Sequence, residues 1–177
     1  MDTPMSNFHF RLLSLGYKIR DLLESRESIL EEVNIPPGYH VLDFGCGPGS
    51  YIPPLSTMVG KSGKIYALDI HPLAVESVNK MIDEKSLTNV ETILSGRDTH
   101  LPDECIDMIL LYDIYHSFSD PDAILHELHR VLSPEGILSF SDHHLQEDEI
   151  ITSLTGKQMF RLVKKGKKTF IFKKGKS

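Results

Sequence analysis

Apolar positions recur along the chain with two alternating periods. Over residues 8–33 the spacing is three to four: Leu12, Leu13, Tyr17, Ile19, Leu22 and Leu23, then Ile29, Leu30 and Val33. This is the period of an amphipathic helix, and Pro36-Pro37-Gly38 stops it. Residues 39–44 form a short apolar run that carries one aspartate and ends in glycines, the pattern of a buried strand entering a tight turn. Residues 64–68 read as a second strand. Pro72 suits the first turn of a helix whose apolar face is Ala74, Val75, Val78, Met81 and Ile82. Residues 90–94 and 106–112 read as the third and fourth strands. The fourth is almost continuously apolar, which fits a strand covered on both faces. Asp120-Pro121 opens another helix, with Ile124, Leu125, Leu128, Val131 and Leu132 as its stripe. The turn Pro134-Glu135-Gly136 leads to a fifth strand at residues 137–141. A short helix over residues 147–154 precedes a closing hairpin of residues 159–163 and 169–172.

Strands separated by helices build βαβ units, so the pattern predicts an α/β fold. It is a doubly wound sheet of about seven strands, mostly parallel, closed by an antiparallel C-terminal hairpin. In such sheets ligands bind beyond the carboxyl ends of the strands, where strand order reverses. The first strand therefore points at the site.

Composition narrows the class further. A chain of 177 residues has room for about one domain. It buries enough surface to need no disulfide or metal staple. Cys46 and Cys105 are too few for a disulfide framework or a cysteine zinc site. No apolar run reaches the ~20 residues of a membrane span and no secretory leader is recognisable, so a cytoplasmic location is expected. All 25 acidic residues lie at or before Glu149, which leaves a net −15 on residues 1–149 and +9 on residues 150–177. Lys164, Lys165, Lys167 and Lys168 surround Gly166 at the hairpin turn. They read either as charges guarding an exposed sheet edge or as a polyanion-binding patch.

The most informative stretch is Val41-Leu42-Asp43-Phe44-Gly45-Cys46-Gly47-Pro48-Gly49-Ser50. Its alternate glycines let the backbone turn sharply and approach a ligand with no Cβ in the way. The third glycine comes one residue too early for the dinucleotide fingerprint, and no Lys-Ser/Thr follows, which excludes a triphosphate loop. Asp43 suits a ligand end that carries a cationic amine, not a pyrophosphate. Asp69 ends the second strand 20 residues after Gly49, where a carboxylate can accept two hydrogen bonds from ribose hydroxyls.

On these residues the chain resembles the class I S-adenosylmethionine-dependent methyltransferases, particularly their small ubiquinone/menaquinone-biosynthesis-like branch. The resemblance runs from about Pro37 to Asp142. It implies a Rossmann-like sheet and S-adenosyl-L-methionine as cofactor. It assigns Asp43, Gly45, Gly47 and Gly49 to the first motif and Asp69, with Ile70 beside it, to the ribose end. Asp107 and the strand after it match the fourth-strand motif, and residues 132–136 match the turn before the fifth strand. The loop after the third strand departs from the branch: Gly96-Arg97-Asp98 places Arg97 where an adenine-binding acid belongs, and a one-residue shift gives that role to Asp98. The other reading is that backbone groups of this loop contact the base.

Residues 37–177 are thus expected to form the cofactor-binding domain. Residues 1–36 form a helical segment that either covers the pocket as a lid or packs as plain core. The fourth strand ends in Tyr112-Asp113-Ile114-Tyr115-His116, which places Tyr112 and Asp113 at the methionine end of the cofactor. His116 is then a candidate general base, since imidazole titrates in the useful range. The fifth strand ends in Asp142-His143-His144, which makes His143 a second candidate. A metal there is disfavoured because neighbours on a strand point to opposite faces. His126 and His129 read as solvated surface positions. The expected acceptor is a small molecule. The alternatives are a nucleic-acid methyltransferase docking through the basic hairpin and a cofactor-binding protein without turnover.

Overall fold

The structure is a computed structural model and describes residues 3–23 and 25–175. Its elements are α1 (Asn7–Leu23), α2 (Arg26–Leu30), β1 (His40–Phe44), α3 (Ile52–Val59), β2 (Lys64–Asp69), α4 (Pro72–Lys85) and β3 (Val90–Leu94). Then follow β4 (Ile106–Tyr112), α5 (Pro121–Val131), β5 (Leu132–Ser141), α6 (Glu147–Thr155), β6 (Phe160–Lys165) and β7 (Phe170–Lys174). The seven strands form one sheet in the order β3-β2-β1-β4-β5-β7-β6. Strands β1 to β5 pair in parallel, and β7 pairs antiparallel with both β5 and β6. The α/β architecture read from the pattern is therefore present, with the closing hairpin inserted so that β7 lies beside β5. Strand order reverses between β1 and β4, and the carboxyl ends of these two strands define the crevice.

Alternation along β4 from Met108 onward divides the core between the two faces, and the irregularity between Ile106 and Met108 places Ile106 with the odd-numbered set. Ile106, Ile109 and Leu111 pack on one side with α5, α6 and Phe140; Met108, Leu110 and Tyr112 pack on the other with α2 and α3. Each fully buried Leu or Ile contributes about 1.5–3 kcal/mol of hydrophobic free energy. Asp107 stands among these residues because its carboxylate accepts the His40 N–H at 2.8 Å, tying β1 to β4.

Three local expectations are revised. The single N-terminal helix is two, α1 and α2, with buried Arg26 opening the second and pairing with Asp21 at 3.2 Å. The side chains of Leu22 and Leu23 lie outside the described residues. Strand β5 begins at Leu132, not at residue 137: Leu132 already pairs with Ile106, and the turn-like residues 133–136 are absorbed by a register shift before Ile137 meets Met108. His129 is half-buried, its ring edge-on to Phe160 at 5.7 Å, whereas His126 is exposed as expected.

Candidate active site

Beyond Phe44 the chain turns on Gly45 (φ +82°), Gly47 (φ +52°) and Gly49 (φ +91°), left-handed conformations in which a side chain is strained. A Cβ on Gly45 would meet Ile114 Cδ1 at 2.5 Å, so the Ile114 side chain from the loop after β4 packs where a side chain would otherwise stand. The Gly45 and Cys46 N–H groups both bond the Leu68 carbonyl. Asp69 then closes the loop: one carboxylate oxygen accepts the Gly47 N–H at 2.9 Å and the other the His71 N–H at 2.7 Å. Burial pushes the Asp69 carboxyl up, and these bonds oppose the shift. Each oxygen keeps a second lone pair for a hydroxyl donor.

These residues border a cavity of about 270 Å³ that reaches from Asp69 and Ile70 across Asp43 to His116. Asp43 is fully buried, and its Oδ2 has no hydrogen-bond partner among the described residues. Burial, then the charge of Asp69, raises its carboxyl to about 7. A buried, unpaired acceptor facing a cavity calls for a cationic or hydrogen-bond-donating ligand group. Ile70 separates this cavity from a second one bordered by residues 95–98, Phe118 and Asp120. Asp98 sits there, largely exposed, with its carboxylate 3.2 Å from Arg97 Nε. The loop carrying it is anchored through Thr99, whose N–H and hydroxyl both donate to Glu127.

At the opposite end the strands deliver two crossed carboxylate–imidazole pairs. Tyr112 and Ser141 are in register across β4 and β5, so the residues that follow them lie side by side. Asp142, after β5, accepts the backbone N–H of His116 at 3.0 Å and its Nδ1–H at 2.9 Å. Asp113, after β4, likewise accepts from His143, at 3.2 Å from the backbone and 2.8 Å from Nδ1. A carboxylate only accepts, so in both rings Nδ1 carries the hydrogen and Nε2 is the basic nitrogen. Burial would raise Asp142, but hydrogen bonds from the His116 backbone, the His116 ring and the His144 backbone hold it below the ordinary range. Asp113 adopts φ +53°, a conformation Asp tolerates better than most residues, and this turns its carboxylate towards His143. The His144 ring lies between the other two, 4.1 Å from His116 and 4.0 Å from His143.

The strand-alternation argument against both histidines facing one site therefore fails. Strand β5 ends at Ser141, and His143 and His144 stand in a turn that presents both to the cavity. Asp113, Asp142 and His143 could group around a cation, but both Asp142 oxygens and Asp113 Oδ1 already accept from histidine donors, and Asp113 Oδ2 faces Arg20 at 4.0 Å. Tyr112 is buried beside the cavity, its hydroxyl paired with Ser139 Oγ at 2.6 Å and its ring edge-on to Tyr51. Cys46 is buried, and burial pushes its thiol up, so it is not an activated nucleophile.

Sequence reasoning missed the role of His71. It caps α4 by accepting the Leu73 N–H on Nδ1, its Nε2 bonds the Met5 carbonyl at 3.0 Å, and its ring stacks on Phe10. The one signal was its place before Pro72, the usual setting of an N-cap. Through His71, and through Arg20, which lies 4.0 Å from Asp113, α1 is held over the cavity. Phe10, Leu13 and Tyr17 line it.

A glycine loop at the switch point, a ribose-suited acid and a buried carboxylate facing an apolar cavity define a nucleoside-binding α/β domain. The profile of a methyltransferase domain family matches residues 35–173, and the chain belongs to that family. Within it the likeness is to S-adenosylmethionine-dependent enzymes, among them those of the ubiquinone/menaquinone type. A demethylmenaquinone methyltransferase of Geobacillus sp. is 26% identical over 129 residues, 72% of this chain and 55% of the relative. A ubiquinone/menaquinone biosynthesis C-methyltransferase of Hydrogenovibrio crunogenus is 30% identical over 117 residues, 63% of this chain and 46% of the relative. The chain thus spans about half the length of the curated relatives it matches. A solved SAM-dependent methyltransferase from Aquifex aeolicus superposes with a TM-score of 0.82 at 27% identity, covering 96% of this chain and 98% of that one. The residues present fit the cofactor: the orphaned Asp43 oxygen suits its ammonium, Asp69 its sugar, and the glycine cradle leaves room for it.

Proposed function

We propose that this chain transfers a methyl group from S-adenosylmethionine to a small-molecule acceptor. The observation that carries the reading is one cavity with an unpartnered buried carboxylate at its middle and two carboxylate-held imidazoles at its end. S-adenosylmethionine supplies an electrophilic methyl group on a sulfonium. Asp43 takes the amino end, Tyr112 and Asp113 border the methionine portion, and the Gly45, Gly47 and Gly49 loop lets the ligand approach the backbone. Asp69 holds the ribose, while Ile70 and Asp98 flank the base. Proximity in such a site supplies on the order of 7–11 kcal/mol in favourable cases, so the chain needs little further chemistry beyond moving a proton.

His116 is the group for that. With Nδ1–H held by Asp142, Nε2 is left to accept the proton of a hydroxyl or protonated nitrogen as its bond to carbon forms. His143, held by Asp113, is the second candidate. The names of the curated relatives make a quinone-type ring the first acceptor to test; transfer to a ring oxygen uses His116 as base, whereas transfer to a ring carbon draws little on it. Helix α1 acts as the lid. The test is transfer of labelled methyl from S-adenosylmethionine into fractionated cell extract. A labelled small molecule formed only with the protein supports the reading; cofactor binding without label transfer to any fraction points to a binding protein without turnover.

Nucleic acid is not the acceptor in this reading, because the basic hairpin is largely engaged by the chain's own acids. Lys165 pairs with Glu147, Lys173 with Glu135 and Lys174 with Glu104, and Lys164 bonds the Glu32 carbonyl. No salt-dependent mobility shift of RNA or DNA is expected at physiological ionic strength. A shift at low micromolar protein that weakens steeply with salt contradicts this.

A further inference from the structure

Five of the seven large apolar side chains that stand exposed among the described residues lie on α1. Four of them, Phe8, Leu12, Leu15 and Ile19, follow at spacings of four, three and four, so they share one edge of the helix. They are 74%, 58%, 57% and 54% exposed. The opposite edge, with Phe10, Leu13 and Tyr17, borders the cavity. The helix is thus apolar on two sides and covered on one, an arrangement that marks an interaction surface.

Charge selects what covers the other side. Helix α1 holds Arg11, Lys18 and Arg20 against one acid, Asp21, which pairs with Arg20, whereas residues 24–149 hold 23 acidic against 7 basic, a net −16. Arg11 and Lys18, seven residues apart, occupy positions along one border of the exposed apolar edge, and Arg11 is itself exposed. A second copy docked symmetrically through the same edge would set Arg11 and Lys18 against the same cations. An anionic bilayer instead offers negative charge to the basic border and hydrocarbon to the apolar edge, the combination an interfacial helix requires.

We propose that α1 is an interfacial helix that docks this protein on anionic phospholipid surfaces through Phe8, Leu12, Leu15 and Ile19. The lid of the cavity and the membrane-contacting element are then one helix, used on opposite edges. The proposal goes beyond methyl transfer and does not depend on it, so it is tested with neither cofactor nor acceptor present.

The experiment is co-flotation of the protein with vesicles of phosphatidylcholine and phosphatidylglycerol, and with vesicles of phosphatidylcholine alone. Wild-type protein is expected to float with the mixed vesicles, less with the neutral ones, and less as salt rises. The double variant Leu12→Gln, Leu15→Gln alters only exposed positions. It is expected to bind mixed vesicles at least tenfold more weakly while keeping the melting temperature of the wild type. Wild-type protein that stays unbound at low salt overturns the proposal, as does a double variant that floats like wild type. Light scattering that finds a wild-type dimer and a monomeric double variant, without flotation, assigns the edge to a second copy and also overturns it.

Discussion

Replacing His116 with alanine is expected to lower turnover on an oxygen or nitrogen acceptor about 10²–10⁴-fold, the usual worth of a positioned general base, while cofactor affinity stays unchanged. The expectation rests on the separation of the two ends of the cavity. Asp43 and Asp69 lie with the glycine loop, whereas His116 is fixed by Asp142 at the far side, through both its backbone and its ring. Asp142→Asn supplies a second reading of the same arrangement. An amide in place of the carboxylate offers only one acceptor atom to the ring and the two backbone donors, and it removes the charge that balances a protonated ring. The variant should lose kcat with little change in KM for the cofactor. Steady-state kinetics of both variants check this. If His116→Ala keeps full activity on an oxygen acceptor, His143 with Asp113 takes the role. On a carbon or thiolate acceptor deprotonation falls elsewhere, and the loss is small.

The second large effect concerns Asp43 and runs in opposite directions for binding and stability. In the free protein its carboxyl is raised to about 7, first by burial and then by the Asp69 charge. A folded-state value above the unfolded one means that the neutral form is preferred in the fold. Its cost is therefore absent below the ordinary carboxylate range, grows as pH rises from about 4 towards 7, and is fully present above that. Asp43→Asn removes this cost, so the variant should melt higher than wild type at about pH 8, with the difference vanishing near pH 4. The same change removes the charge that receives the cofactor's ammonium, and charge-assisted bonds of this kind are worth about 1.5–3 kcal/mol. Affinity should fall by roughly tenfold to a hundredfold at pH 8. For the wild type, cofactor affinity should rise with pH up to about 7 and then level, because the cation favours the ionised carboxylate. Thermal unfolding and calorimetric titration across pH measure both halves. A variant less stable than wild type at high pH, or one with undiminished affinity, contradicts the assignment.

What the chain disclosed in advance follows from how far apart the partners are. The glycine loop and Asp69 are legible because one strand, one turn and the next strand fix their geometry, and all three glycines do take positive φ. The hairpin and the covered central strand are legible from composition and period alone. The crossed histidine pairs are not, since His116 and Asp142 are 26 residues apart and meet only because β4 and β5 pair in a particular register. The alternation argument misjudged His143 and His144 because it extended β5 three residues past its end at Ser141. Turn chemistry at Pro134-Glu135-Gly136 delayed the predicted start of β5, as local signals cannot register that Leu132 already pairs with Ile106. The break between α1 and α2 was hidden for a similar reason. Apolar spacing continues across it, while buried Arg26 depends on Asp21 and Tyr51 for partners.

Calorimetric titration of the purified protein with S-adenosylmethionine, its demethylated product S-adenosylhomocysteine, and NAD tests the central claim most directly. Binding of the first two and not of NAD is predicted, since the loop spacing departs from the dinucleotide fingerprint and Asp43 occupies ground a pyrophosphate would need. The Asp69→Ala variant should bind the same ligands about 1–3 kcal/mol more weakly, the loss of charge-assisted bonds to a sugar. NAD binding more tightly than S-adenosylmethionine, or an Asp69→Ala variant with unchanged affinity, contradicts the account.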